Sequence, residues 1–153
     1  MKALSDLKIA LCSDHAGYEL KIRLIEYLKA KGVTQFYDFG AYSAESSDYP
    51  DFAHLMASAV AGGEYEFGIS CCGTGNGINI VANRHKGVRS ALCWNVEIAR
   101  LARLHNNANV IAFPVRFISE SDALTMLSVF FSTDFEGGRH RRRLDKIDFF
   151  LCR

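Results

Sequence analysis

The sequence predicts an α/β chain: a three-layer α/β/α domain on a five-stranded parallel sheet, with a C-terminal helix. Three observations predict it. Short apolar runs of the buried-strand type alternate with longer amphipathic stretches along the whole chain. Five such runs occur, each followed by a helical stretch. A strand that returns through a helix lies parallel to its predecessor by a right-handed crossover, which covers both faces of the sheet.

In order, LKIALCS at 7–13 is the first strand. AGYELKIRLIEYLKAKG at 16–32 is a helix with Leu20, Leu24, Tyr27 and Leu28 on one face, ended by Lys31-Gly32. VTQFYDFG at 33–40 is the second strand, and a polar loop then leads into a helix near 50–62, closed by Gly62-Gly63. EFGISCC at 66–72 is the third strand, followed by a helix over about 75–84. GVRSALC at 87–93 is the fourth, followed by a helix near 94–105. ANVIAFP at 108–114 is the fifth. Ser119, with Asp122 three residues on, caps a helix over 119–133, and a last helix is predicted from about 139 to 151. The whole reads as one Rossmann-like domain spanning 1–153.

Composition narrows the function classes. Hydrophobic residues make up 49% and charged residues 23% of 153, which is globular. The net charge of +1 gives no global argument for nucleic acid or membrane. No apolar run has the length of a membrane span, and Asp6 and Lys8 break any signal-peptide core, so a cytoplasmic protein is expected. The five cysteines, Cys12, Cys71, Cys72, Cys93 and Cys152, are odd in number and include no C-x-x-C. A disulfide framework or zinc site is therefore not expected; Cys12 and Cys93 read as small core hydrophobes.

In parallel sheets ligands bind outside the carboxyl ends of the strands, and that rule sorts the motifs. Asp14 and His15 follow the first strand: Asp14 is either a helix cap or a ligand group, and His15 is placed for an anion. Cys71-Cys72-Gly73-Thr74-Gly75-Asn76-Gly77 follows the third. It is not a phosphate loop of the G-x-x-x-x-G-K-[ST] type, nor a G-x-G-x-x-G fingerprint. Backbone N–H groups freed by the glycines suit a developing oxyanion, and a thiol there is expected to lean toward thiolate; the alternative is a tight turn with an inert thiol. Arg116 follows the fifth strand. Arg139 and Arg143, four apart behind Gly137-Gly138, share a helix face suited to a phosphate and are grouped with this edge; a solvated basic face is the alternative. His105-Asn106 ends a helix and falls on the opposite edge. It is either a C-cap or a catalytic group serving another subunit.

SDHAGYELK at 13–21, SSDYPDFA at 46–53, CCGTGNGI at 71–78, RLHNNANV at 103–110 and EGGRHRRR at 136–143, in this order, resemble the type B ribose-5-phosphate isomerases, a group that includes galactose-6-phosphate isomerase subunits. The resemblance implies interconversion of ribose 5-phosphate and ribulose 5-phosphate through an enediolate, with no metal or organic cofactor. It implies Cys72 as base, with Ile78 where another branch carries its Glu. It implies His105 for ring opening, with Thr74 as a proton relay. Asp14, His15, Gly73, Gly75, Asn76, Gly77, Asn106, Arg116, Arg139 and Arg143 match its binding positions. A homodimer with shared sites, or a dimer of dimers, is the expected assembly. The rival readings are a six-carbon sugar phosphate isomerase, a flavodoxin-like nucleotide-binding module, and nucleic-acid binding through 139–143.

Overall fold

Ile9–Ser13 forms strand β1 and is buried at every position, as a central parallel strand must be. The computed structural model describes residues 2–149. After β1 come α1 (Tyr18–Ala30), β2 (Phe36–Asp38), α2 (Tyr49–Ala61), β3 (Phe67–Cys72), α3 (Asn76–Ala82), β4 (Ser90–Leu92), α4 (Val96–Asn106), β5 (Val110–Pro114), α5 (Glu120–Ser132) and α6 (Arg139–Leu144). All pairings are parallel, and the sheet order is β2-β1-β3-β5-β4.

The two faces of the sheet bury separate cores. Leu11, Ile69, Ile111 and Phe113 meet α1, α4 and α5 on one side through Leu24, Leu28, Ala102, Met126 and Phe130. Ala10, Cys12, Val110 and Ala112 meet α2 and α3 on the other through Met56, Val60, Ile78 and Ala82. Truncating a fully buried anchor such as Leu24 or Met56 to Ala costs about 2–5 kcal/mol. The helix boundaries follow local chemistry. Asn95 accepts from the Ile98 N–H to start α4, Ser119 does the same from Asp122 for α5, and Asn107 ends α4 in the left-handed region at φ 44°. Among the described residues no helix is long and apolar enough to cross a membrane.

The last helix differs from expectation. It stops at Leu144, with Asp145 as its C-cap, rather than running toward 151. Ile147 and Phe149 beyond it are more than half exposed. Phe150, Leu151 and Cys152 lie outside the described residues.

This topology fixes where a ligand sits. The chain leaves β1 toward β2 on one side, then crosses back to β3 on the other. The direction therefore reverses between β1 and β3, and a crevice opens at their carboxyl ends. Ser13 and Cys71 are register partners there, so the residues that follow, Asp14 and Cys72, become neighbours.

Candidate active site

Asp14 does two things at once. Its Oδ1 accepts from the Gly17 N–H at 3.0 Å, which shapes the turn into α1, and its Oδ2 accepts from the Cys72 Sγ–H at 3.0 Å. Gly17 is required here: a Cβ would lie 2.1 Å from the Cys71 carbonyl oxygen. Asp14 thus shapes the start of α1, as its cap reading expects, and meets the Cys72 thiol as well. His15 Nδ1 lies 3.2 Å from the Ser47 amide nitrogen and 3.3 Å from the Ser47 carbonyl oxygen, which ties the ring to the loop before α2.

Cys72 heads the glycine loop. Gly75 sits at φ 73° as the residue before α3, and a Cβ there would lie 2.5 Å from Leu92 Cδ1. The turn directs the Gly73 and Gly75 N–H groups at Cys72 Sγ. The thiol nevertheless does not lean toward thiolate, as the motif alone suggests. Burial first, then the hydrogen bond and charge of Asp14, push it up to about 11, against the smaller pull of the two N–H groups. Cys71, on the opposite face of β3, is raised further by burial, with Lys21 opposing. Thr74 and Asn76 are exposed on the loop, joined by the Asn76 N–H to Thr74 Oγ1 at 3.3 Å. Gly77 packs against the Tyr49 ring. Arg116 reaches this edge too: its N–H donates to the Gly73 carbonyl at 3.1 Å and its guanidinium lies over Gly73.

A second cluster stands elsewhere. His105 stacks on His140 with centroids 4.3 Å apart and planes 9° from parallel. Glu136 Oε2 lies 3.7 Å from His105 Nε2 and 3.6 Å from His140 Nε2. The Glu136 N–H donates to the Leu104 carbonyl at 2.9 Å, which ties the segment before α6 to the end of α4. Arg139 and Arg143 therefore belong with His105 and Asn106, at the amino ends of the strands. The grouping of these arginines with Cys72 on one edge is corrected, because α6 packs on α4 and not on the crevice. Asn106, exposed, offers its carbonyl to Arg89 Nε at 3.1 Å. The ligand atoms of His105, Glu136 and His140 lie within 4.8 Å of one another. Parallel stacked rings aim their lone pairs side by side rather than at one point, so this arrangement suits proton handling better than chelation.

Three contributors were not legible beforehand. Lys21 is wholly buried, held by Asp38 Oδ1 at 2.7 Å and by the Ala41 carbonyl. It pins the loop after β2, whose Gly40 and Ala41 hydrogen-bond Ser13 beside the crevice. Its only sequence signal is the spacing 21, 24, 28 on the apolar face of α1. Glu136 and His140, four apart, are the other two.

Comparison with known proteins shows the family and the fold. A family described as Ribose/Galactose Isomerase matches residues 9–147. The chain is 41% identical over 140 residues to ribose-5-phosphate isomerase B of Escherichia coli, covering 92% of this chain and 93% of that one. It is similar to the ribose 5-phosphate isomerase structure from Thermotoga maritima, at 49% identity and TM-score 0.91, over 94% of this chain and 99% of the other. It is also similar to ribose-5-phosphate isomerase B from Mycoplasma genitalium with bound ribulose-5-phosphate, at 41% identity and TM-score 0.90, over 96% and 97% of the two chains.

Proposed function

The chain belongs to the ribose/galactose isomerase family, and from that premise we propose that it interconverts D-ribose 5-phosphate and D-ribulose 5-phosphate through an enediolate, as an isomerase of the pentose phosphate pathway. The observation that carries this reading is Cys72: a thiol at the β1/β3 crevice, hydrogen-bonded to Asp14, with the Gly73 and Gly75 N–H groups facing its sulfur.

The chemistry runs as follows. His105 assists furanose opening by moving a proton between the anomeric hydroxyl and the ring oxygen. Cys72, as thiolate, takes the C2 proton and returns it to C1, and Thr74 relays a proton between the two oxygens. The charge of the enediolate falls on oxygen, within reach of N–H groups from the 73–77 loop that are fixed before the reaction and need no reorganisation. His15, Arg116, Arg139 and Arg143 hold the phosphate, with Asp14 and Asn106 on the sugar hydroxyls; phosphate binding positions the reacting carbons.

The thiol at about 11 and the separation of the two clusters support a site shared by two subunits of a homodimer. A partner's edge carrying Arg139 and Arg143 would bring two cations to the crevice and favour the thiolate. The four cysteines among the described residues are unpaired, which fits a reducing compartment such as the cytoplasm. The test is an isomerase assay on ribose 5-phosphate and on allose and galactose 6-phosphates. Wild type should prefer the pentose, Cys72→Ala should lose orders of magnitude in kcat, and Cys71→Ala should stay near wild type. Faster turnover of a six-carbon sugar reassigns the substrate; loss of activity in Cys71→Ala alone reassigns the base.

A further inference from the structure

We infer that Glu136 is a positioning residue for His105, holding its imidazole with the proton on Nε2 so that Nδ1 is the atom that exchanges protons with the sugar. The inference rests on the reading of His105 as the ring-opening group. Glu136 is anchored at its backbone, where its N–H donates to the Leu104 carbonyl at 2.9 Å, and its Oε2 lies 3.7 Å from His105 Nε2. The carboxylate is also 3.6 Å from His140 Nε2, but that nitrogen accepts from Arg139 Nε at 3.5 Å. His140 therefore carries its proton on Nδ1, and burial, with His105 and Arg139 beside it, pushes it below the ordinary imidazole value. A neutral, buried ring with no proton facing Glu136 leaves His105 as the imidazole whose N–H the carboxylate attracts.

His140 contributes as a wall. Its ring lies against His105 at 4.3 Å, nearly parallel, while His105 itself is about one-third exposed. The stack stops the exposed ring from turning on its own axis toward another rotamer. Glu97 also faces His105, and it is occupied: Arg100 grips both its oxygens at 2.9 and 2.7 Å. The proton balance closes. Nδ1 takes the anomeric hydroxyl proton, the imidazolium stands beside the Glu136 carboxylate, and Nδ1–H then protonates the ring oxygen as the C1–O bond breaks and its electron pair leaves with that oxygen.

The experiment separates ring opening from enolisation. Ribulose 5-phosphate cannot close a furanose, since its O5 is esterified, so exchange of its C1 hydrogen with D2O needs Cys72 and not His105. In the full-length dimer, Glu136→Gln should lower kcat on ribose 5-phosphate about tenfold or more, within the roughly 10²–10⁴ that acid–base catalysis supplies. KM should stay within about twofold, and NMR-detected C1 exchange of ribulose 5-phosphate should stay near wild type. The 15N signals of His105 should lose the pure Nε2–H pattern. An unchanged kcat, or C1 exchange falling in step with kcat, overturns the role of Glu136. Normal turnover in His105→Ala overturns the underlying reading instead, and the inference with it.

Discussion

Mixing two inactive variants should restore activity. Cys72 ends β3, and its register partner is Pro114, the last residue of β5. His105 stands five residues before Val110, the first residue of β5. The ladder from Gly68↔Val110 to Cys72↔Pro114 has four steps, which at about 3.3 Å each separates the two edges by about 13 Å before any connecting residue is counted. Proton transfer to one sugar needs both groups within roughly 3 Å of it, or one water further. A five-carbon substrate against one chain cannot meet both; a two-fold dimer that apposes opposite edges makes two sites that can. The perturbation is Cys72→Ala in one preparation and His105→Ala in the other, mixed one to one under conditions that exchange subunits. Random exchange makes about half the molecules heterodimers, each with one intact and one doubly deficient site, so about a quarter of wild-type activity should return per total protein. Mass-tagged subunits verify exchange and initial rates on ribose 5-phosphate report the sites. If heterodimers form and the rate stays at the level of the parents, the two groups act within one chain and the edge argument is wrong.

Arg139→Ala and Arg143→Ala should each raise KM by a factor corresponding to about 1.5–3 kcal/mol, the range for a charge-assisted hydrogen bond, with Arg142→Ala much weaker; equal effects at all three indicate a diffuse basic face. Activity should survive exhaustive treatment with a chelator, and loss restored by a divalent ion defeats that expectation. Stability should fall above about pH 9. Burial holds the Cys93 thiol near 12 against the ordinary 9, so between those values the unfolded chain has released a proton that the folded chain keeps. The slope is about 1.4 kcal/mol per pH unit for that thiol, and urea midpoints at pH 8 and pH 10 should differ less in Cys93→Ala than in wild type.

The strands were legible because fully buried parallel strands read as unbroken apolar runs, and the β1/β3 crevice was legible because crossovers constrain topology. That is why Asp14, Cys72 and Arg116 could be gathered on one edge from the chain alone. The position of Arg139 and Arg143 could not. The segment 133–138 carries no periodicity, and its course is set by contacts far apart in sequence: the Glu136 N–H on Leu104 and the His140 ring on His105. Lys21 escaped for a different reason. A cation on an apolar helix face reads as a boundary residue until Asp38 and the Ala41 carbonyl, some twenty residues on, are brought over it.

The thiol ties these observations together. A motif read locally sees a helix start and free N–H groups and concludes that the sulfur is activated; the folded chain also buries the sulfur and sets its S–H in a hydrogen bond to Asp14, and these outweigh the amides. With the thiol near 11, about one molecule in 10⁴ carries the thiolate at pH 7. Such a base is safe from adventitious oxidation and alkylation while the crevice is empty, because the thiolate is the reactive form. It becomes useful when cations arrive, and α6 carries four of them, Arg139, Arg141, Arg142 and Arg143, beside His105 on the opposite edge. On the shared-site reading, one encounter between subunits supplies the phosphate clamp, the group that opens the sugar and the field that ionises the base. A monomeric variant should therefore show Cys72 alkylation that climbs about tenfold per pH unit from 7 to 10, while the dimer reacts faster at pH 7 and levels off earlier. Identical profiles for monomer and dimer mean that Cys72 is tuned within its own chain.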